Sequence, residues 1–141
     1  MNKLANKMIA GVGIDIVEHK RIARIHFRYG EKFARRILDE LEMEEYRKAP
    51  SKDRLLAKRF AAKEAASKAL GTGFSRGISL NMICIRHDSN GRPLLEFHAK
   101  ASEYANDLGV VAMWLSISDE ENYSTAMVVL EKSDSLLDRL P

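Results

Sequence analysis

The 141-residue sequence predicts an α+β fold in a single domain. Three observations carry this. A strand-like, β-branched run opens the chain at 9–17. Helical periodicity then fills residues 18–70. Strand-like runs dominate from 79 to 130. Helices cluster early and strands late, rather than alternating as a wound parallel sheet requires. No repeat or linker divides residues 1–141. Met8 is a second candidate start, which would make 1–7 a dispensable extension. The polar tail 132–141 carries Leu136, Leu137 and Leu140 and suggests a frayed helix.

In residues 9–17 the glycines of Ile-Ala-Gly-Val-Gly-Ile-Asp-Ile-Val allow another backbone to approach closely. Ile22, Ile25 and Phe27 suggest a helix over 18–29, ended by Gly30. Residues 31–38 and 42–48 suggest two short helices, closed by Pro50. Ser51 or Asp53 can cap the next helix, which runs to Leu70 and stops at Gly71-Thr72-Gly73. A strand over 79–86 leads into Asp88-Ser89-Asn90-Gly91-Arg92-Pro93, where Asn-Gly signals a hairpin. A strand at 94–97 and a helix at 99–107 closed by Gly109 follow. Strands at 110–118 and 124–130 flank the acidic turn Asp119-Glu120-Glu121-Asn122.

Charge is unevenly spread. Residues 1–70 hold 17 Lys+Arg against 10 Asp+Glu, a net of +7; residues 71–141 hold 6 against 10, a net of −4. A basic half implies an anionic partner. The lone cysteine, Cys84, permits no internal disulfide and points to a reducing, cytoplasmic setting; its apolar surroundings read as core packing. No apolar run is long enough to span a membrane. None of the four histidines has a partner at diagnostic spacing, and no zinc or nucleophile-histidine pattern occurs.

Two segments carry the chemistry. Asp15 interrupts an apolar strand, where a charge is costly unless it is paired or bound to a metal. Both readings, core salt bridge and metal ligand, stand at this point. Glu64 and Lys68 lie on an alanine-rich helix, where they can form a plain i,i+4 ion pair worth about 0.2–0.5 kcal/mol. Brought together, Asp15 and Glu64 form the paired carboxylates that a hard divalent cation prefers. Arg59, Lys63, Glu64, Ser67 and Lys68 share one polar arc, with Ala62, Ala65, Ala66 and Ala69 opposite. Phe60 sits inside that arc, which suggests a face covered by another subunit or a ligand. Glu18 is either a further acid at the site or a favourable charge in a first helical turn. Lys20, Arg21, Arg24 and Arg28 form a basic stripe, extended by Arg35 and Arg36. It reads as a solvated helix face or as a docking surface for an acidic helix or phosphate backbone. Gly71 to Gly77 lacks the lysine-hydroxyl ending of a nucleotide loop and reads as a helix cap and turn.

Gly13-Ile-Asp15-Ile-Val-Glu18, followed by Lys58-Arg-Phe-Ala-Ala-Lys63-Glu64-Ala-Ala-Ser67-Lys68-Ala-Leu-Gly71-Thr-Gly73, resembles the two motifs of the holo-[acyl-carrier-protein] synthases, the small phosphopantetheinyl transferases. The resemblance covers about Met8 to Glu131. Asn90-Gly91-Arg92-Pro93 and Leu115-Ser116-Ile117-Ser118 are similar to the family's later, looser motifs. Many members have histidine where this chain has Asp119.

The resemblance implies transfer of 4′-phosphopantetheine from coenzyme A to a serine of an acyl carrier protein, with adenosine 3′,5′-bisphosphate released. It implies a magnesium ion held by Asp15 and Glu64, and Asp15, Glu64 and Lys68 as the catalytic group. Glu64 or a metal-bound water would take the serine proton. Arg59, Lys63, Ser67, Gly71, Asn90 and Pro93 would bind the coenzyme, with Arg59 reaching across a subunit interface. It further implies an antiparallel sheet packed against a long central helix, a homotrimer with sites between subunits, and a role in fatty-acid synthesis. Arg21, Arg24 and Arg28 would dock the acidic carrier. The competing reading is a basic nucleic-acid-binding module using the same arginines with Phe27 and Tyr29. It leaves Asp15 unexplained, because an acid there repels phosphate unless a metal intervenes.

Overall fold

A computed structural model describes residues 6–133. Strand β1 (Lys7–Glu18) is followed by helices α1 (His19–Tyr29), α2 (Glu31–Ile37), α3 (Glu40–Lys48) and α4 (Lys52–Leu70). A single 3-10 turn (Leu80–Met82) leads into β2 (Ile83–His87). Then come β3 (Pro93–Phe97), α5 (Ala99–Asp107), β4 (Val110–Asp119) and β5 (Tyr123–Ser133). The α+β class is as the sequence predicts. The strand expected over 79–86 is in part the 3-10 turn, and its pairing begins only at Ile83. Lys7 belongs to β1, and Lys132 and Ser133 belong to β5. The rest of the tail helix, and residues 1–5, lie outside the described residues.

The strands form two sheets. One has the order β1-β5-β4, all antiparallel; the other is the β2-β3 hairpin. Strand β5 is therefore central, and β1 and β4 are its edges. Helix α4 packs on one face of this sheet. The fit depends on Gly11 and Gly13: a Cβ on either would overlap the carbonyl oxygen of Ala69 or Ala65. The alanines of α4 and the glycines of β1 bring two backbones into contact, which places the next inward residue, Asp15, beside the last turns of α4.

Helix α4 is buried nearly all round. Leu56, Ala57, Ala61, Ala62, Ala65, Ala66 and Ala69 lie in the core with Ile22, Ile37, Met43, Val128 and Leu130. Its ends are set locally. The Ser51 hydroxyl accepts from the Arg54 N–H, and Gly71, at φ +80°, caps the last turn. Asp39 and Glu42 form a reciprocal capping box that starts α3 two residues before the sequence suggests. Phe60 packs against the chain's own core, so it demands no partner to cover it.

The opposite face of the sheet is apolar and open. By register, Val12, Val129 and Trp114 form one row across it, and Ile14, Met127 and Ser116 the next. Ile14 and Ile16 are each more than 60% exposed, although both are large hydrophobic side chains in regular strand.

Candidate active site

Asp15 is the site's fixed point. Its carboxylate is largely enclosed, and Oδ1 accepts from the Lys68 ammonium at 3.0 Å. The same ammonium donates to the Ile14 carbonyl at 3.0 Å. The Asp15 carbonyl accepts from the Thr125 hydroxyl at 2.9 Å, which holds β1 in register with β5. Glu64 lies one helical turn before Lys68 and has no ion-pair partner among the described residues. Burial first, and then the Asp15 charge, raises its carboxyl above the ordinary value, with Lys68 and Arg21 opposing. Of the two readings open for Asp15, the protein supplies the salt bridge directly. The oxygen donors of the two carboxylates are of the kind magnesium takes. The structure brings together Asp15, Glu64 and Lys68, with Arg21 close enough to act on Glu64.

Three residues expected on the same arc point elsewhere. Lys63 is fully buried; it donates to Glu42 Oε1 at 2.8 Å and to the Ile37 carbonyl at 2.5 Å. Arg59 bridges Glu42 at 3.2 Å and Glu45 at 2.6 Å. The buried Ser67 hydroxyl donates to the Glu64 carbonyl at 2.7 Å. Arg59, Lys63 and Ser67, expected at the coenzyme, are all bonded within their own chain. The polar arc exists because α3 supplies a buried acid, Glu42, to meet it. Glu42 lies on the apolar side of α3 with Met43 and Tyr46, and that placement was the legible signal for an internal ion pair.

Gly71 ends α4 close to Lys68, and its N–H bonds the carbonyls of Lys68 and Ser67. Asn90 lies in the β2–β3 connection, held by the Asp88 carboxylate, which accepts the Asn90 and Arg92 N–H groups, and Pro93 opens β3. Strand β3 lies against β4. Pro93 lines a groove on the open face of the sheet with Trp114, Met127 and Val129, whereas Asp15 meets α4 on the other face. Asp119, where many relatives have histidine, pairs with Arg54 at 3.1 Å. Glu18 caps α1 without a side-chain bond.

Arg21, Arg24 and Arg28 are exposed along α1. Beside them lies an open groove between α1 and α2, with Ile25, Phe33 and Ile37 as its floor and Lys32, Arg36 and Tyr29 at its rim. Sequence reading missed this groove, because its floor comes from two helices whose angle is set by Gly30. Cys84 is buried beside Asp39 and its thiol is pushed up to about 12, mainly by burial, which leaves it inert. Asp39, Glu42 and Cys84 cluster closely. Arg86, Arg59 and Lys63 already neutralise the two acids, so the cluster reads as ion pairs rather than a metal centre.

Residues 11–128 match the 4′-phosphopantetheinyl transferase superfamily, and the chain belongs to it. Within that family it is similar to the holo-[acyl-carrier-protein] synthases. The enzyme of Vibrio cholerae serotype O1 (strain ATCC 39541) is 49% identical over 125 residues, covering 89% of this chain and 99% of the relative. That of Halorhodospira halophila is 51% identical over 123 residues, covering 87% and 98%. The crystal structure of the Neisseria meningitidis synthase superposes with a TM-score of 0.84 at 44% identity, covering 89% of this chain and all of that one. The Helicobacter pylori synthase in complex with coenzyme A gives 0.74 at 31% identity, covering 84% and 98%. Among the described residues no helix is long and apolar enough to cross a membrane.

Proposed function

We propose that this protein transfers the 4′-phosphopantetheine arm of coenzyme A to a serine of an apo acyl carrier protein, releasing adenosine 3′,5′-bisphosphate. The observation that carries the reading is the meeting of Asp15, Glu64 and Lys68 at the contact of β1 with α4, in a chain of this family. The serine oxygen bonds to the phosphorus of the pantetheine phosphate while the diphosphate P–O bond breaks. Such a reaction requires neutralisation and alignment more than a covalent nucleophile.

Asp15 and Glu64 would hold magnesium, which supplies charge neutralisation of the diphosphate oxygens. Glu64 would take the serine proton. The exposed Lys68 ammonium can stabilise the departing phosphate. Gly71, Asn90 and Pro93 would contact the coenzyme. Arg59, Lys63 and Ser67 support α4 from within.

The separation of Asn90 and Pro93 from Asp15 favours a site shared between copies, with the β1 edge of one facing the β4 edge of the next. The open apolar face of the sheet, lined by Val12, Ile14, Met127 and Val129, supports assembly of three copies around it. The acidic carrier would dock on Arg21, Arg24 and Arg28 and on the groove with Lys32 and Arg36. Fatty-acid synthesis in the cytoplasm is the setting that this chemistry favours.

The test is the intact mass of an apo carrier after incubation with the protein, coenzyme A and magnesium. A gain of one phosphopantetheine, lost with Asp15→Ala or a chelator, is the expected result. No gain on several carriers would overturn the reading and turn attention to nucleic-acid titration.

A further inference from the structure

His26 joins three helices at one point. Its Nδ1 lies 2.6 Å from Asp53 Oδ1 in the first turn of α4. A carboxylate only accepts, so Nδ1 carries a proton. Its Nε2 lies 2.6 Å from the hydroxyl of Tyr46 on α3. Tyr46 is buried, and the two rings meet edge to face with centroids 5.6 Å apart. The Lys52 ammonium lies over the other part of this junction, donating to the Arg47 and Ala49 carbonyls at 3.3 Å each. Both polar atoms of the imidazole are therefore bonded to other elements, and neither serves α1 itself.

The start of α1 is tied down by His19, whose backbone N–H donates to the Asn122 carbonyl at 2.8 Å and whose ring bonds the Glu121 carbonyl and the Ser124 hydroxyl. Ile22 is the helix's only buried residue, one turn before His26. The remainder of the helix presents Arg21, Arg24, Phe27 and Arg28 to solvent. In its C-terminal half, which carries Arg28 and one wall of the basic groove, the imidazole is the side chain that bonds α3 and α4, beside the apolar contact of Ile25 with the groove floor.

We propose that His26 is a positioning residue for carrier docking: by tying α1 to Asp53 and Tyr46, it fixes the angle of the arginine stripe relative to α4, which bears Glu64 and Lys68. This rests on the reading of α1 as the carrier-docking helix. His26 touches no reacting atom. Its removal would let α1 tilt, so that a docked carrier presents its serine off line. Coenzyme binding, which uses α4 and the turn after it, would be spared.

The experiment is steady-state transfer with His26→Phe, His26→Phe/Tyr46→Phe and Arg21→Glu, with thermal unfolding of each. Phenylalanine keeps a ring in place and removes both hydrogen bonds. The expected result for His26→Phe is a rise of about tenfold in the KM for apo carrier, with the KM for coenzyme A within about twofold of wild type. In the double variant Tyr46 no longer has an unmatched hydroxyl, so the melting temperature recovers while the carrier KM stays high. Recovery of the carrier KM together with stability would reduce His26 to a packing role and overturn the proposal. So would a parallel rise in the KM for coenzyme A. Arg21→Glu separates the two levels: if it leaves the carrier KM unchanged, the docking reading itself fails; if it raises that KM and His26→Phe does not, only the role of His26 fails.

Discussion

The Lys68 ammonium and the Asp15 carboxylate lie 3.0 Å apart, where β1 meets α4. In this state the lysine neutralises Asp15 and, with Arg21, offsets the charge of Glu64. Removing it should leave Asp15 and Glu64 more strongly attracted to a cation. Lys68→Met is therefore expected to bind Mn2+ more tightly than wild type without coenzyme A, measured by the loss of free-ion electron-spin resonance signal, while transfer activity falls. Weaker Mn2+ binding by the variant would show that Lys68 does not compete for the carboxylates.

Gly13→Ala should destabilise the fold out of proportion to one methyl group. The new Cβ would overlap the Ala65 carbonyl, and neither backbone can move without disturbing the sheet. Overpacking of this kind costs about 1–3 kcal/mol. Urea unfolding is the measurement, and the loss should come with a displaced Asp15 and reduced activity.

The buried network gives a prediction with two arms. Glu42→Leu leaves Lys63 charged and fully buried without its acid, at a cost of about 3–5 kcal/mol. Burial already lowers the Lys63 pKa, and the Glu42 charge opposes that shift. Glu42→Leu/Lys63→Met should recover most of the loss. If Lys63→Met instead raised the KM for coenzyme A at unchanged stability, the lysine would face the ligand after all.

Acid should weaken the fold through Asp39. The Arg86 guanidinium, which bonds it at 3.0 Å, holds its carboxyl well below the usual carboxylate range. A depressed folded-state pKa contributes stability that is complete above the unfolded value and lost as pH falls below it. Melting temperature should therefore drop below about pH 4, and Asp39→Asn should flatten that drop. An unchanged profile in the variant would place the acid sensitivity elsewhere.

Val129→Lys places a charge in the middle of the open sheet face, between Val12 and Trp114. If copies assemble there, sedimentation should show smaller particles and activity should vanish with the Asp15 site intact. Unchanged sedimentation would count against assembly through this face.

What the sequence disclosed followed from local pattern. The helices and hairpins were legible from periodicity and from Gly30, Gly71 and the Asn90-Gly91 turn. Asp15, Glu64 and Lys68 were legible because an acid in an apolar strand needs a partner. The inward turn of Lys63 and Arg59 was not, since a helical wheel shows an arc but not what lies opposite it. Here the answer was Glu42, some twenty residues away on α3. The His26 junction was hidden for the same reason: Asp53 and Tyr46 stand at no fixed spacing from it, and only the packing of three helices joins them. The division into a three-stranded sheet and a separate hairpin was equally invisible, because strand pairing is set by contacts far apart along the chain.

The central place of β5 has a consequence for synthesis. Asp15 pairs in register with Ala126, so β1 has no partner strand until residues 123–133 have left the ribosome. At usual elongation rates that interval is on the order of 5 to 20 seconds. Throughout it, Ile9, Val12, Ile14 and Ile16 form an unpaired, apolar edge on a nascent chain whose helices can already collapse. Asp15 is thus among the first residues made, and its strand pairing is among the last contacts to form.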